Sequence, residues 1–245
     1  MIKRTIEISD RAAHLTVKRR QLVLKHDGVA VGSVPGEDIG VLLVDHPGTT
    51  YSHQALSLLA ENQAAVVLCG RDHLPQAVVM PLANHSQIVQ RLKSQIETSK
   101  PLKKRRWKQI VQAKVRAQAA NLAGGSVARR RLEQFVSEVR SGDPTNVEAQ
   151  AAKAYWKAWL VEPDRETVTI DFRRLRDGIA PNGLLNYGYA VLRAAVARAI
   201  VAAGLHAGIG LHHSNRSNAF CLADDLMEPL RKLVDETVRE LYIAS

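Results

Sequence analysis

The segment over residues 211–231, LHHSNRSNAFCLADDLMEPLR, concentrates side chains that bind metal ions. It contains the adjacent histidines His212 and His213 and the acids Asp225 and Glu228. Carboxylates together with an imidazole suit a hard divalent cation that still accepts a nitrogen ligand, which points to Mg²⁺ or Mn²⁺. Asp225 and Glu228 are three residues apart in a predicted helix, so the pattern places both on one helix face.

A further acid far upstream extends this pattern. Glu148 lies in the first turn of another predicted helix, shortly after the Ser-Gly-Asp-Pro turn of residues 141–144. Two carboxylates and one imidazole, with water completing the coordination shell, would hold one ion. Such an ion polarises a phosphate oxygen and assists attack on phosphorus by water or by a sugar hydroxyl.

A purely structural interpretation of the same residues stays open. Acids in the first turn of a helix often only complement the helix dipole, and adjacent histidines often face different surroundings. The chain contains no HExxH, P-loop or GxSxG pattern. The spacing therefore predicts a metal site without excluding a role in packing and at helix ends.

The elements that would position these residues begin with a β-rich part. Seven short segments rich in Val, Leu and Ile precede residue 82, with Gly and Pro in the turns between them. They are RTIEI, HLTVK, QLVLKH, GVAVGSV, IGVLLVDH, AAVVLCG and QAVVMPL. One helix near residues 52–62, with Ser52 as its N-cap, interrupts them.

Helical periodicity dominates the rest of the chain. It predicts helices over residues 86–98, 102–123, 127–141, 146–160, 183–204 and 222–242. We therefore expect an α+β protein with a small β-rich N-terminal domain, residues 1–84, followed by a larger all-helical C-terminal domain, residues 85–245.

Positive charge is concentrated between residues 100 and 140. Twelve cations there face only two acids, and this surplus equals the formal net charge of +10 of the whole 245-residue chain. The cations are Lys100, Lys103, Lys104, Arg105, Arg106, Lys108, Lys114, Arg116, Arg129, Arg130, Arg131 and Arg140. Such clustering favours phosphate binding with release of counterions, whereas a solvated basic helix face is the simpler alternative. Trp107 within the cluster either stacks on a base or anchors its helix.

Composition argues against several other classes of protein. Cys69 and Cys221 form no CxxC pair, so neither a zinc ribbon nor a disulfide framework is expected, and the cytoplasm is the expected location. The N-terminal residues have no apolar signal-peptide core. The longest apolar helix candidate contains Arg193 and Arg198, so no membrane association is expected.

Two long motifs resemble one known family. The run LLNYGYAVLRAAVARAIVAAGL, followed by GIGLHHSNRSNAFCLADDLMEPLR, is similar to the CRISPR-associated integrase of spacer acquisition, the Cas-one (Cas1) family, in its type II form. The N-terminal segments LLVDHPGTTYSHQAL and VVLCGRDHLP agree with it in character. The resemblance implies a metal-dependent DNA endonuclease and integrase.

The resemblance also implies roles for particular residues. Glu148, His213 and Glu228 fall on the catalytic metal ligands, with His212 as the alternative histidine. Asp225 falls on a further ligand or on a group that supports the ligands. The LNYGY segment places Asn186, Tyr187 and Tyr189 beside the metal site or in simple helix packing. The residues expected to contact DNA are Arg71, Lys103, Lys104, Arg105, Arg106, Lys108, Arg129, Arg130, Arg173 and Arg174.

Members of the family form homodimers through the β-rich domain, and two dimers flank a dimer of the small adaptation subunit Cas-two (Cas2) in a hetero-hexamer. By resemblance, the assembly holds double-stranded prespacer DNA and joins its 3′-hydroxyl ends to the CRISPR repeat by transesterification. Two other functions use the same residues. One is a non-catalytic DNA-binding scaffold of the same fold, and the other is a structure-selective nuclease that acts on branched DNA.

Overall fold

The computed structural model describes residues 3–71, 73–82, 86–160, 172–175, 178 and 180–244. The chain divides into two compact units. The N-terminal unit comprises Met1–Leu92 and Arg193–His206, and the C-terminal unit comprises Lys93–Leu192 and Ala207–Ser245. The predicted α+β class, with a β-rich part followed by a helical part, is confirmed.

All seven predicted strands form, and a short eighth strand joins them. In chain order, β1 to β8 are Arg4–Ile8, His14–Lys18, Gln21–His26, Val29–Pro35, Ile39–Val44, Thr50–Tyr51, Ala65–Cys69 and Pro75–Val79. One sheet has the order β1-β5-β7-β8, in which β1, β5 and β7 are parallel and β8 is antiparallel to β7. All six residues of β5 are buried, which explains why its sequence is a continuous apolar run rather than an alternating one.

The second sheet has the order β4-β3-β2-β6 and is built from two tight hairpins. The turn between β3 and β4 consists of Asp27 and Gly28, both with positive φ, as a two-residue hairpin with right-handed strand twist requires. The predicted helix after β6 is α1, His53–Glu61, and Ser52 caps it by accepting a hydrogen bond from the Ala55 N–H. Leucines from β2, β5 and α1 form the core of this unit.

Among the described residues, seven further helices follow α1. In chain order, α2 to α8 are Ile88–Ile96, Lys100–Ala120, Val127–Glu138, Val147–Ala158, Asn182–Ala202, Cys221–Met227 and Arg231–Ala244. Within the C-terminal unit, α3 packs against α4 and α5 and contributes the buried Trp107, Val111 and Val115. This packing fixes the face of α3 on which the candidate site lies.

The predicted single helix over residues 222–242 is wrong. The structure ends α7 at Met227, inserts one 3₁₀ turn over Glu228–Leu230 and begins α8 at Arg231. The break falls at Pro229, because proline has no backbone N–H to donate and its ring clashes with the preceding turn. Asp225 and Glu228 therefore belong to different elements.

Helix α6 has 21 residues and a mean hydropathy of 1.2, which by length and composition alone would allow it to cross a membrane. One such helix is weak evidence, because core helices of soluble proteins have the same composition. The expectation of no membrane association stays a prediction.

Candidate metal centre

The amino group of Lys114 lies between two of the predicted ligands. Its Nζ is 2.6 Å from Glu148 Oε1 and 2.6 Å from Glu228 Oε2. The contact to Glu148 is also a directed hydrogen bond. Glu228 Oε2 is buried, and it forms the second ion pair of Lys114. The structure thus brings Glu148 and Glu228 together around one positive charge.

Each of the two glutamates is held by its own local structure. Glu148 lies in the first turn of α5, where both oxygens of Asp143 accept hydrogen bonds from the N–H groups of Val147 and Glu148, each at 2.9 Å. Asp143 therefore caps the helix and fixes the position of Glu148. Glu228 is held from the other side by Arg231, whose Nε and Nη2 are both 3.0 Å from Oε1.

The charges around Glu228 control the ionisation of the group. Burial alone would raise the pKa of Glu228, but the adjacent charges of Lys114 and Arg231 outweigh this effect and lower it. Burial likewise opposes the charge on Lys114, and the two glutamates raise its pKa above the ordinary value. Both carboxylate and ammonium are therefore charged, and the buried pairs depend on one another.

His213 is oriented by Asp225, which is fully buried. Oδ2 of Asp225 accepts hydrogen bonds from the N–H groups of Leu211 at 2.6 Å and His212 at 3.0 Å. Oδ1 accepts from the His213 N–H at 3.2 Å and contacts His213 Nδ1 at 2.7 Å. A carboxylate at Nδ1 favours the proton there, which leaves Nε2 of His213 with a lone pair for a metal ion.

The pairing with Asp225 also sets the charge of the imidazole. The hydrogen bond to Asp225 raises the pKa of His213 against the opposing effect of burial, and the charges of Asp225 and Glu228 act in the same direction. Asp225, predicted as a further ligand or as a group that supports the ligands, accepts hydrogen bonds on both oxygens.

Gly210 makes the close approach of this loop feasible. A Cβ atom at this position would lie 2.3 Å from the backbone oxygen of His213 and 2.9 Å from Asp225 Oδ2. Both distances are too short for any side chain. The glycine therefore lets residues 211–213 present their N–H groups to Asp225.

The ring of Trp107 on α3 contacts the rings of both His212 and His213. Its ring stacks on the exposed His212 with centroids 4.3 Å apart and an interplanar angle of 3°, and it meets the His213 ring edge-on at 5.8 Å. Trp107 itself is only 1% exposed. Its burial excludes stacking on a nucleic-acid base, so the anchoring interpretation of this residue is confirmed and the base-stacking one is wrong.

The donors fit a hard divalent cation in chemistry, because two carboxylate oxygens converge on one point. Each oxygen lies 2.6 Å from Lys114 Nζ, so Glu148 Oε1 and Glu228 Oε2 are at most about 5.2 Å apart. Among the described residues, no group of three His, Cys, Asp or Glu side chains is assembled closely enough to hold an ion. Glu148, His213 and Glu228 would be the ligands, and the ammonium of Lys114 now contacts the two carboxylates.

The segment around Tyr189 forms a network of its own beside the glutamates. The hydroxyl of Tyr189 donates to Asp235 Oδ1, and the hydroxyl of Tyr155 donates to Asp235 Oδ2 at 2.9 Å. Asn121 Nδ2 in turn donates to the Tyr155 oxygen at 2.7 Å. Burial raises the pKa of Asp235 to about 6 and that of both tyrosines above their ordinary values.

Two other residues of the LNYGY segment lie nearby. Asn186 accepts a hydrogen bond of 2.5 Å from Arg174 Nη2, and Tyr187 is partly buried. Arg174 also donates to Asn182 Oδ1 at 3.0 Å and lies over the Tyr189 ring. Arg174, predicted to contact DNA, is therefore built into this network, and burial lowers its pKa.

The remaining residues predicted to contact DNA are exposed or partly exposed. On α3 and α4 they are Lys103, Lys104, Arg105, Arg106, Lys108, Arg129 and Arg130, and Arg71 and Arg173 lie in turns or irregular segments. Arg129 donates to Glu133 at 3.1 Å and so is partly neutralised. Lys114, which the sequence pattern groups with this surface, is buried between the glutamates, and its assignment to the basic surface is wrong.

Sequence reasoning missed three charged members of the site: Lys114, Arg231 and Asp235. For Arg231 a signal existed, since it follows Glu228 by three residues at a helix start. Lys114 lies within a run of surface cations and Asp235 within an ordinary polar helix. Neither position carries a sequence signal that separates it from its solvent-exposed neighbours.

Comparison with known proteins assigns the chain to a family. Residues 6–243 match the family described as CRISPR associated protein Cas1. A CRISPR-associated endonuclease Cas1 from Neisseria meningitidis serogroup C (strain 8013) is 42% identical over 230 residues, which are 93% of this chain and 72% of that protein.

Two solved structures are similar to the chain as a whole. One is a casposase bound to integration product, with a TM-score of 0.76 and 19% identity over 99% of this chain and 73% of that one. The other is a Cas6-RT-Cas1–Cas2 complex, with a TM-score of 0.75 and 18% identity over 99% of this chain and 28% of that one. At these identities the likeness shows a shared fold.

Proposed function

Because the chain belongs to the Cas1 family of CRISPR-associated proteins, we propose that it is a divalent-cation-dependent DNA endonuclease and integrase of spacer acquisition. Its reaction would be attack of a prespacer 3′-hydroxyl on a phosphodiester of the CRISPR repeat. Mg²⁺ or Mn²⁺ would be the cofactor, and the cytoplasm would be the location.

Similar proteins support the choice of substrate and partner. The Neisseria relative is named an endonuclease, one structural relative is bound to an integration product, and another lies in a complex with Cas2. We therefore propose double-stranded DNA, a second copy of this chain and Cas2 as partners, assembled as a hetero-hexamer.

The observation that carries the proposal is the convergence of Glu148 and Glu228 on one cationic position, together with the orientation of His213 by Asp225. A cation bound there would stabilise negative charge on the reacting phosphate. The chain's own residues would do the rest. Asp225 keeps the proton on His213 Nδ1, Arg231 holds Glu228 in place, and Asp143 holds Glu148.

A strand-transfer assay tests the proposal. Purified protein with Cas2 is incubated with a prespacer duplex and a repeat-bearing plasmid in Mn²⁺, in Mg²⁺ or in EDTA. We expect product only with a divalent cation and a loss of at least a hundredfold in His213→Ala and Glu228→Ala. Glu133→Ala, which changes an exposed glutamate of α4, is the matched control and should keep full activity. Undiminished product in both site variants would refute the proposed ligands.

DNA binding by the basic surface has a separate signature. Replacing Lys103, Lys104, Arg105 and Arg106 by glutamine should weaken duplex binding equally for all sequences. It should also make the plot of log K against log salt less steep, by about 0.9 for each phosphate that the variant no longer neutralises. An unchanged slope would place the DNA elsewhere.

A specific observation favours a second candidate, the non-catalytic DNA-binding scaffold. Lys114 and Arg231 already neutralise both glutamates, so the site is electrostatically satisfied without a metal ion. This function predicts DNA binding that is indifferent to EDTA and no strand transfer. Cleavage of branched DNA without Cas2 or a repeat would instead indicate the structure-selective nuclease.

A further inference from the structure

The ammonium group of Lys114 fills the gap between the two glutamates that the proposed function assigns to a metal ion. Lys114 is 8% exposed, and its Nζ contacts both carboxylates at the same distance of 2.6 Å. With Arg231 on the far side of Glu228, two cations and two anions cancel within this buried group. The gap is therefore closed by a charge that belongs to the chain.

A second place for this ammonium lies one helical turn away. Gln118, four residues after Lys114 on α3, is 6% exposed, and its buried side-chain oxygen receives no hydrogen bond. Lys114, Gln118 and the carboxylate-bearing Asp235 line the same cavity of about 160 Å³, which also borders Glu228. Side chains four apart on a helix are neighbours, so the lysine chain reaches both positions by rotation about its own bonds.

We propose that Lys114 is a two-position cation that closes the glutamate pair in the metal-free protein and moves toward Gln118 when a divalent ion enters. Lys114 is in this sense a positioning residue, which sets how tightly the site binds its ion. The inference rests on the proposed function, because it concerns the same two carboxylates.

Electrostatics makes the two positions exclusive. An ion bonded to both glutamates would occupy the space in which the ammonium now lies, 2.6 Å from each carboxylate oxygen. The ammonium would then face a double positive charge a few ångströms away in a buried setting, where charges are poorly screened. The orphaned Gln118 oxygen supplies the acceptor that a displaced ammonium requires, since a buried charge without a hydrogen bond is costly.

Direct binding of Mn²⁺ without DNA tests the proposal. The dissociation constant is measured by electron paramagnetic resonance of free Mn²⁺ for wild type, Lys114→Met and Lys153→Met. Lys153 is an exposed lysine of α5, the helix that carries Glu148, and serves as the matched control. We expect Lys114→Met to bind Mn²⁺ at least tenfold more tightly than wild type and Lys153→Met to be unchanged. A structural role alone would weaken binding, so equal or weaker binding in folded Lys114→Met would overturn the proposal.

A second variant keeps the test decisive if Lys114→Met does not fold without metal. Gln118→Met keeps the side-chain volume and removes only an oxygen that has no hydrogen bond. We expect its melting temperature in EDTA to equal or exceed that of wild type, while its affinity for Mn²⁺ falls severalfold. The exposed Gln109→Met on the same helix is its control. An affinity equal to that of wild type would refute the second ammonium position.

The outcomes separate this inference from the proposed function. If Glu228→Gln abolishes Mn²⁺ binding while Lys114→Met and Gln118→Met leave it unchanged, the inference fails and the metal site stands. If wild type and Lys114→Met both bind no Mn²⁺, the metal site fails and the inference fails with it.

Discussion

The replacement Asp225→Asn tests how the loop that carries His213 is held. Asp225 accepts from three backbone N–H groups and from His213 Nδ1, two partners on each oxygen. Asparagine has one acceptor oxygen. If that oxygen keeps the N–H groups of Leu211 and His212, the NH₂ group of the asparagine must face the backbone N–H and the ring Nδ1 of His213. In the opposite orientation of the amide, its NH₂ group would face the backbone N–H groups of Leu211 and His212, which can only donate.

The magnitude follows from this count. One hydrogen bond to a charged acceptor is lost outright, worth about 1.5–3 kcal/mol, and the two that remain lose the carboxylate charge, roughly 1 kcal/mol each. The expected loss is about 3–5 kcal/mol, which is a large part of a typical domain stability of about 5–15 kcal/mol. The variant should therefore fold, with a lower melting temperature.

In Asp225→Asn the ring proton of His213 should change position, which a defect in packing alone would not cause. An NH₂ group opposite Nδ1 requires an acceptor there, so the proton of His213 moves to Nε2 and removes the lone pair that a metal ion would use. Disturbing such a partner of a metal-binding histidine typically lowers affinity by about 10–100-fold. Nitrogen chemical shifts of the histidine ring report the position of the proton, and Mn²⁺ titration reports the affinity.

Asp224→Asn is the matched control for this experiment. Asp224 precedes Asp225 on α7, is also buried, and accepts from Asn218 Nδ2 at 2.7 Å rather than from the histidine loop. We expect it to leave the proton on His213 Nδ1 and the Mn²⁺ affinity unchanged. Retention of the Nδ1 proton in Asp225→Asn, with an affinity within twofold of wild type, would show that the reasoning is wrong.

Three further predictions follow from other contacts. Gly210→Ala should abolish folding of the histidine loop, because its Cβ would lie 2.3 Å from the backbone oxygen of His213. Gly124→Ala is the control, since its Cβ would meet nothing within 4 Å. A melting temperature of Gly210→Ala equal to that of Gly124→Ala would contradict this prediction. Asp143→Ala should cost about 0.5–2 kcal/mol and weaken Mn²⁺ binding by displacing Glu148. Ser126→Ala, which removes the cap of α4, should lower stability without changing the affinity for Mn²⁺. Equal Mn²⁺ affinities of Asp143→Ala and Ser126→Ala would contradict this prediction. Because the pKa of Asp235 is raised to about 6, its stabilising effect is complete below about pH 4 and is lost as the pH rises through 6. The free energy of unfolding of Asp235→Asn, measured in urea, should therefore rise relative to that of wild type by up to about 3 kcal/mol between pH 4 and pH 8. A difference between the two proteins that does not vary with pH would refute the assignment.

Local signals in the sequence were sufficient for most of the fold. Each strand was predicted because turn residues bound a run of β-branched and apolar side chains, and the turn at Asp27 and Gly28 shows the backbone geometry that such residues allow. The cap of α1 by Ser52 was predicted for the same reason, because a cap depends on neighbours within a few residues.

The end of α7 was missed because two local signals compete there. Leucines and charged residues continue at helical spacing from α7 through α8, which favours one helix, while Pro229 opposes it. The structure resolves the competition with a single 3₁₀ turn rather than with a loop. A proline in the first turn of a new helix is tolerated, so periodicity alone does not reveal the break.

This break explains why two acids three residues apart act on different partners. In one uninterrupted helix, Asp225 and Glu228 would share a face and both would be candidates for the same ion. Because α7 ends at Met227 and Glu228 begins the 3₁₀ turn, the two acids lie in different elements. Asp225 faces the N–H groups of the histidine loop, and Glu228 faces Lys114 and Arg231. The oxygens of Asp225 accept backbone N–H groups, whereas Glu228 Oε2 contacts a lysine ammonium. The two acids therefore have different partners, a distinction that depends on contacts formed only in the folded chain.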